Sequence, residues 1–558
     1  MSELAMKEYI AWIKENGGTF QKLDFKDDAN GIGSVYATDT VHENECFATV
    51  PFRLAITEKV ARKAFPSLSD VSCRVVMALF LVHEKLAGDK SFYAPYLNVL
   101  PKKIITPFYY TEEDMRYLEN TNLATATGER KNLVYKSFQQ MRGRLSNDMD
   151  QDQVTWDDFL WAYTVLTSRA FPYTLIDPSH EAPSEVLFPL VDSLNHKPNT
   201  KITWMRSGNY ETGSLSFVAG QTFHAGEQMY NNYGPKSNEE LLLGYGFCFE
   251  FNEHDHVALK PNFSRDPNYQ EKMAILQQCQ VASGNEDTLI HYVHRSHIPD
   301  SFLKLMRVLV MTNTEMTSYA TCTNKNLLDF IGYRNELAML IMTNNLLTSR
   351  LHAIQKVALD RQNATWWQKY ALMYRDGQAD VLHSVRKMIE EMKQTVLKKM
   401  ARDLKDDSLA AIPLLSIQNP ERTRVYEAIE SDPWVPLDDV VITPKKLLRD
   451  KKFQSAIEQL FEDEEDDVIV MLALIYERSK PNSPWQSFFR QAEKSCTGQE
   501  EEESVMELQD LYDSLFPSFS EAFPDVFDPS VFSFEALLWA EHILRNHTID
   551  NPLAIVPL

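Results

Sequence analysis

Residues 226–247 read GEQMYNNYGPKSNEELLLGYGF, and the interpretation of this stretch decides the fold. A tyrosine in a strand is ordinarily a packing residue. Here Tyr233 is followed directly by Gly234, Tyr245 stands between Gly244 and Gly246, and the two tyrosines flank a short predicted helix whose first turn carries Asn238 and Glu239. Turns and helix ends leave polar side chains and backbone groups open to a ligand, so the pattern suggests a lined cleft.

Three further segments share that character. Asn30-Gly31-Ile32-Gly33 contains the Asn-Gly pair favoured in type I′ hairpin turns. It is not a dinucleotide fingerprint, because Tyr36 stands where the third glycine would be. Thr167-Ser168-Arg169-Ala170-Phe171 closes a helix predicted to be capped by Thr155, with Asp158 three residues on. A lone arginine there compensates the helix dipole, or offers a planar fork to a carboxylate. Leu187 to Pro198, LFPLVDSLNHKP, is an apolar strand ending in Asp192, Asn195 and His196, which alone reads as a turn beside a hydrogen-bonded histidine.

Glycine divides the chain unequally. Residues 1–260 hold 14 of the 18 glycines, which predicts turns and short strands there, a mostly helical remainder, and a boundary near residue 260. The chain opens on an amphipathic helix (Leu4, Tyr9, Trp12, Ile13) stopped by Gly17-Gly18, followed by strand-like SVYAT and CFATVPF. A helical insertion at about 76–186 then interrupts the strands, which return from about 187 to 255. Beyond 260, apolar residues recur at helical spacing, as in Leu337, Leu340, Ile341, Leu347, Leu351 and Ile354, and again in Val381, Val385, Met388, Met392 and Val396; these stripes read as packing faces. The class is α+β.

The 558 residues carry 56 Lys+Arg against 79 Asp+Glu, a formal charge of -23. Such a surface repels a phosphate backbone and points to basic partners, with no direct nucleic acid. The charge is concentrated: residues 401–558 hold 14 basic and 32 acidic side chains, so an acidic C-terminal part would draw in a basic protein or simply aid solubility. The longest apolar runs, Val75–Val82 and Val468–Tyr476, fall well below the ~20 residues of a membrane span. No signal-peptide pattern opens the chain. Six scattered cysteines without CxxC read as reduced thiols in the cytoplasm or nucleus and argue against structural zinc. His254-Asp255-His256 supplies two metal-ligand side chain types without a third placed by sequence, so a solvated turn is preferred, and Glu462–Asp467 reads as an acidic face.

The four segments, in this order, resemble a SET-domain methyltransferase of the Rubisco large-subunit methyltransferase type, the group that includes fungal ribosomal-protein lysine methyltransferases. NGIG, SRAF, VDSLNH and NNYGPKSNEELLLGYGF match its successive motifs, and FYAPYLNVLP lies in its inserted helical region. The resemblance implies a β-rich SET domain over 1–260 with a knotted cofactor region, and an all-α substrate-binding domain over 261–558. It implies that S-adenosylmethionine is the cofactor, with no metal, and that Asn30 and Ile32 contact it; Asn30 stands where relatives often carry Glu. Arg169 would meet the cofactor carboxylate, Asp192, Asn195 and His196 would line the pocket, and Tyr245 and Phe247 would complete its wall. Tyr233 is expected to carry the chemistry, with Tyr245 as a second hydroxyl of the lysine channel. The expected substrate is a ribosomal protein or a translation factor, methylated on lysine by a monomer. Histidine methylation belongs to a branch that departs from tyrosine at the position of Tyr245, and a non-catalytic scaffold is the reading from another class.

Overall fold

The computed structural model describes residues 2–28, 31–145, 149–282, 289–320, 328–404, 433–461, 467–495, 502–550 and 553–557. They form two compact units, residues 1–255 with 353–379, and 256–352 with 380–558.

The first unit opens with helix Glu3–Glu15, capped by the Ser2 side chain. Tyr9, Trp12 and Ile13 are buried, but Leu4 is 66% exposed and lies off the packed face. The chain then enters a four-stranded antiparallel sheet in the order Thr19–Phe20, Cys46–Pro51, Ser214–Ala219, Ile202–Ser207. Leu215 faces Val50 and Phe217 faces Ala48, and all four side chains are buried, as alternation on one covered face requires. A second, three-stranded sheet pairs Ile56–Thr57 and Phe171–Pro172 with Glu185–Leu187. Strand structure therefore resumes at Phe171, before the expected 187, because pairings two or three residues long leave no alternation to read.

Between these strands run helices Cys73–Ala87, Ala94–Val99, Asn122–Arg142 and Trp156–Arg169. Every residue from Val75 to Val82 is buried, so the apolar run is a core helix. Thr155 accepts the Asp158 N–H at 3.1 Å and starts the last of the four helices where its sequence signature predicts.

Residues 353–379, which the glycine boundary assigns to the helical part, belong to the first unit. Ala364, Ala371, Leu372 and Tyr374 bury against Tyr110, Tyr117, Leu118, Leu123, Leu242 and Cys248. Polar contacts fix the register: Trp367 Nε1 donates to Asp114 at 3.0 Å, Arg375 to the Glu119 carbonyl at 2.6 Å and Tyr374 to Glu239 at 2.6 Å.

Among its described residues the second unit is mainly helical, with two short ribbons, His256–Leu259 with His291–His294, and Thr548–Ile549 with Ala554–Ile555. The apolar stripes do pack: Leu337, Leu340, Leu347 and Leu351 are buried in helix Tyr333–Gln355, and Val381, Val385 and Val396 in helix Trp366–Asp403, with Met388 and Met392 half-buried. Two ion pairs are enclosed with them. Arg307 meets Glu336 through two bonds of 2.7 and 2.8 Å, and Arg334 meets Glu315 at 2.5 and 2.8 Å. Residues 462–466 and 500–501 of the acidic runs lie outside the described residues, and no described helix is long and apolar enough to cross a membrane.

Helix Asn238–Tyr245 shows why its flanking residues are what they are. Ser237 and Glu240 form a reciprocal capping box, and Gly246 ends the helix at φ +84°, donating to the Leu241 and Leu242 carbonyls. A Cβ at Gly246 would lie 2.5 Å from the Ile105 carbonyl oxygen. Gly246→Ala should therefore lower unfolding stability by about 1–3 kcal/mol, read from the denaturant midpoint; an unchanged midpoint would contradict the close approach.

Candidate active site

Backbone pairing brings the four motifs to one place. Strand Leu23–Asp27 pairs with Gly33–Ala37, closing a hairpin around residues 28–32. Asp27 faces Gly33, so the loop is five residues long and not the two-residue turn that Asn-Gly suggests. Asp28 Oδ1 accepts the Ile32 N–H at 2.9 Å, and Ile32 is 43% exposed. Asn30 lies outside the described residues.

The Gly33–Ala37 strand runs beside the start of the 226–247 stretch: Met229 N–H donates to Val35 O and Ala37 N–H to Glu227 O. Tyr230–Asn231 in turn pairs in parallel with Asn195–His196. Asn195 then closes the circle, its amide donating to Gly33 O at 3.2 Å and Ser34 Oγ at 3.0 Å.

Arg169 and Asp192 meet at the third junction. Arg169 ends helix Trp156–Arg169, and its Nη1 donates to the Asp192 carbonyl at 2.9 Å and to Oδ2 at 3.3 Å. The Asp192 side chain has no exposed surface, while Arg169 keeps 24% of its own. Burial raises the Asp192 pKa, against the pull of Arg169 and of a Tyr96 hydrogen bond. Burial works against the Arg169 cation, but Asp192 together with Tyr96 and Tyr233 outweighs it and the pKa rises. Arg169 Nε and Asp192 Oδ1 are buried and find no hydrogen-bond partner among the described residues. An orphaned Nε on an arginine that keeps part of its side-chain surface, beside a carboxylate with an orphaned Oδ1, fits the amino-acid end of a cofactor.

An aromatic ladder forms the adjoining wall. His196 stacks on Tyr233 with centroids 4.9 Å apart, Tyr233 stacks on Tyr245 at 5.0 Å, and Tyr245 meets Phe247 edge-on at 6.1 Å. Phe249, which carried no sequence signal, extends it at 5.4 Å from Phe247 and 5.5 Å from His196. His196 Nδ1 accepts the Tyr233 N–H at 3.1 Å, which requires a neutral ring, and burial lowers the His196 pKa accordingly. The Tyr233 hydroxyl donates to Leu194 O at 2.9 Å. Burial raises the Tyr233 pKa and pushes that of Tyr245 up to about 12, so both phenols are neutral at physiological pH.

His254-Asp255-His256 does different work. Asp255 accepts the Asn238 backbone N–H at 2.7 Å and its side-chain amide at 2.9 Å, anchoring the start of helix Asn238–Tyr245. Among the described residues no group of three or more His, Cys, Asp or Glu could hold a metal.

Residues 264–382 match the Rubisco LSMT substrate-binding family. The fold is that of the SET domain of LSMT, whose crystal structure bound to lysine and AdoHcy is matched with a TM-score of 0.61 at 22% identity, over 73% of this chain and 96% of that one. The structure of Rubisco LSMT bound to AdoMet is matched with a TM-score of 0.60 at 22% identity, over the same shares. The architecture is thus a SET fold carrying a Rubisco LSMT substrate-binding domain. Among curated proteins, the ribosomal lysine N-methyltransferase set10 of Schizosaccharomyces pombe is 29% identical over 447 residues, covering 76% of this chain and 80% of the relative. The actin-histidine N-methyltransferase of Homo sapiens is 29% identical over 332 residues, covering 56% of this chain and 54% of the relative.

Asn195 ties the hairpin to the parallel strand pair, so Asn195→Ala should cost about 1–3 kcal/mol for its two hydrogen bonds. It should also accelerate amide exchange in residues 33–37. Unaltered exchange there would show that the hairpin is held by other means.

Proposed function

We propose that the protein is an S-adenosylmethionine-dependent protein-lysine N-methyltransferase, with a ribosomal protein as its leading substrate class and a translation factor next. The observation that carries this reading is the stacked Tyr233–Tyr245 pair beside an Arg169–Asp192 couple with orphaned polar atoms. S-adenosylmethionine supplies an electrophilic methyl group when bound. Arg169 would take its carboxylate, while Asp192, Asn195, His196, Phe247 and the hairpin at Ile32 would line its site.

The remaining work belongs to the chain. Transfer to an amine is an in-line displacement, so alignment provides much of the rate. Because the Tyr233 proton is donated to the Leu194 carbonyl, its oxygen is left to accept, and it can orient an amine whose lone pair must face the methyl. The aromatic walls of Tyr233, Tyr245 and Phe247 exclude water, which lowers the pKa of an incoming lysine toward the neutral form that reacts. The hydroxyl of Tyr245 favours lysine over histidine as the acceptor.

The whole-chain charge of -23, concentrated in residues 401–558, supports a basic protein as partner. We assign the protein to the cytoplasm, with the nucleus as a further compartment, and infer that it acts as a monomer without binding nucleic acid or membrane directly.

Incubation of the purified chain with methyl-labelled S-adenosylmethionine and a cell extract, followed by mass spectrometry, should place label on a lysine. Label on histidine would instead favour the activity named for the actin-histidine relatives, and cofactor binding without label would favour a scaffold. Tyr233→Phe should keep cofactor binding and lose at least about a hundredfold in transfer, in the range expected for a positioned catalytic group; undiminished turnover would remove Tyr233 from the chemistry. Turnover on a basic protein should fall as ionic strength rises through the physiological range, and a salt-independent KM would remove the steering role of the acidic part.

A further inference from the structure

Behind the Arg169–Asp192 couple stand two buried tyrosines to which the sequence assigns no role in the site. Tyr96, from helix Ala94–Val99 of the insertion, is 1% exposed and donates its hydroxyl proton to Asp192 Oδ2 at 2.7 Å. Tyr9, from the N-terminal helix, is equally buried, its ring centroid 6.2 Å from that of Tyr96. Its hydroxyl accepts the Leu190 N–H at 2.5 Å. Leu190 has φ +84° and ψ -59°, a conformation that a leucine adopts only when its surroundings enforce it. The turn Val191–Ser193, which carries Asp192, follows directly. The backbone is bent so that Asp192 reaches back to both Tyr96 and Arg169, and the bend is secured by Tyr9.

We propose that Tyr96 is a positioning residue, supported by Tyr9: its hydroxyl orients the Asp192 carboxylate, which holds Arg169 with its guanidinium edge open to the carboxylate of an amino-acid-bearing cofactor. This deepens the methyltransferase reading and rests on it. Arg169 Nη1 already spends its contacts on Asp192, through the backbone carbonyl and Oδ2, which leaves the unpartnered Nε on the remaining edge. Without the Tyr96 donor, Oδ2 loses one of its two bonds, the carboxylate can rotate, and the guanidinium loses its fixed plane. The ionisable groups facing Asp192 are Arg169, Tyr96, Tyr9 and Tyr233. Of these only Arg169 is charged near neutrality, so Tyr96 matters as a hydrogen-bond donor favouring the ionised carboxylate.

The test uses the full chain and two probes, S-adenosylhomocysteine, which has the amino-acid end, and 5′-methylthioadenosine, which lacks it. In Tyr96→Phe, S-adenosylhomocysteine should bind roughly tenfold or more weakly, the scale of a hydrogen bond to a charged group, while 5′-methylthioadenosine stays within about twofold. The pH profile adds a sign. Because loss of the donor disfavours the carboxylate, the acid-side weakening of S-adenosylhomocysteine binding should begin at higher pH in Tyr96→Phe than in the parent. Unchanged S-adenosylhomocysteine affinity, or equal loss for both probes, would overturn the proposal. Should Tyr96→Phe fail to fold, Asp192→Asn is expected to give the same split between probes with the acid-side dependence removed, and equal losses there would also overturn it. If the parent chain binds neither probe, the methyltransferase reading falls with it; if the parent binds and Tyr96→Phe binds equally well, only the positioning role falls.

Discussion

Asp192 has no exposed side-chain surface, and a carboxylate in that position must be paired or surrender its charge. Meeting that demand organises much of the first unit. Arg169 has to arrive at the end of a helix from the insertion, Tyr96 from another insertion helix, and the segment before Asp192 has to bend through the strained geometry of Leu190. The N-terminal helix then becomes necessary, because Tyr9 holds the bend. Elements distant in sequence are therefore tied to one buried charge.

The other half of the site is built from backbone. The hairpin strand Gly33–Ala37, the Tyr230–Asn231 strand and the Asn195–His196 strand are linked by main-chain bonds, and their side chains follow from those registers. Tyr233 lies on His196 because the same backbone N–H that leads into it is accepted by the imidazole. A neutral, stacked wall next to a charged corner suits a reaction in which a methyl cation equivalent passes between two neutral or positively charged atoms.

Much of this was readable from sequence only when the four segments were taken together in their order, since each alone reads as a turn, a helix end or a packing residue. The tyrosines with neighbouring glycines, Arg169 at a helix end, and the Asp192, Asn195 and His196 run all converge as their order suggested. The helical stripes of the second unit were legible too, since a period near 3.6 is a local property. What escaped depends on contacts between distant segments. Tyr96 reads as one more aromatic of the helical insertion, Tyr9 as part of an amphipathic face, and Phe249 as one more residue of the returning strands, until the fold shows what each touches. Strands of two residues, such as Phe171–Pro172, have no periodicity, and the hairpin register, with Asp27 facing Gly33 and the Asp28 side chain holding the Ile32 N–H, depends on the paired strands. The return of residues 353–379 to the first unit also left no trace in glycine content, because it is helical like its surroundings.

That return has a consequence for how the protein is made. Synthesis is vectorial, and domains tend to fold as units when their chain is complete. Here the first unit lacks a wall until Tyr374 has emerged, more than a hundred residues after Asp255, and in the interval Tyr110, Tyr117, Leu118, Leu123, Leu242 and Cys248 have no cover. All of the second unit's opening segment, residues 256–352, is translated before the first unit can close. At ordinary elongation rates of about 5–20 residues per second the nascent chain thus carries an unfinished apolar face for roughly 6–24 seconds, a window in which that face is not yet protected by its own packing.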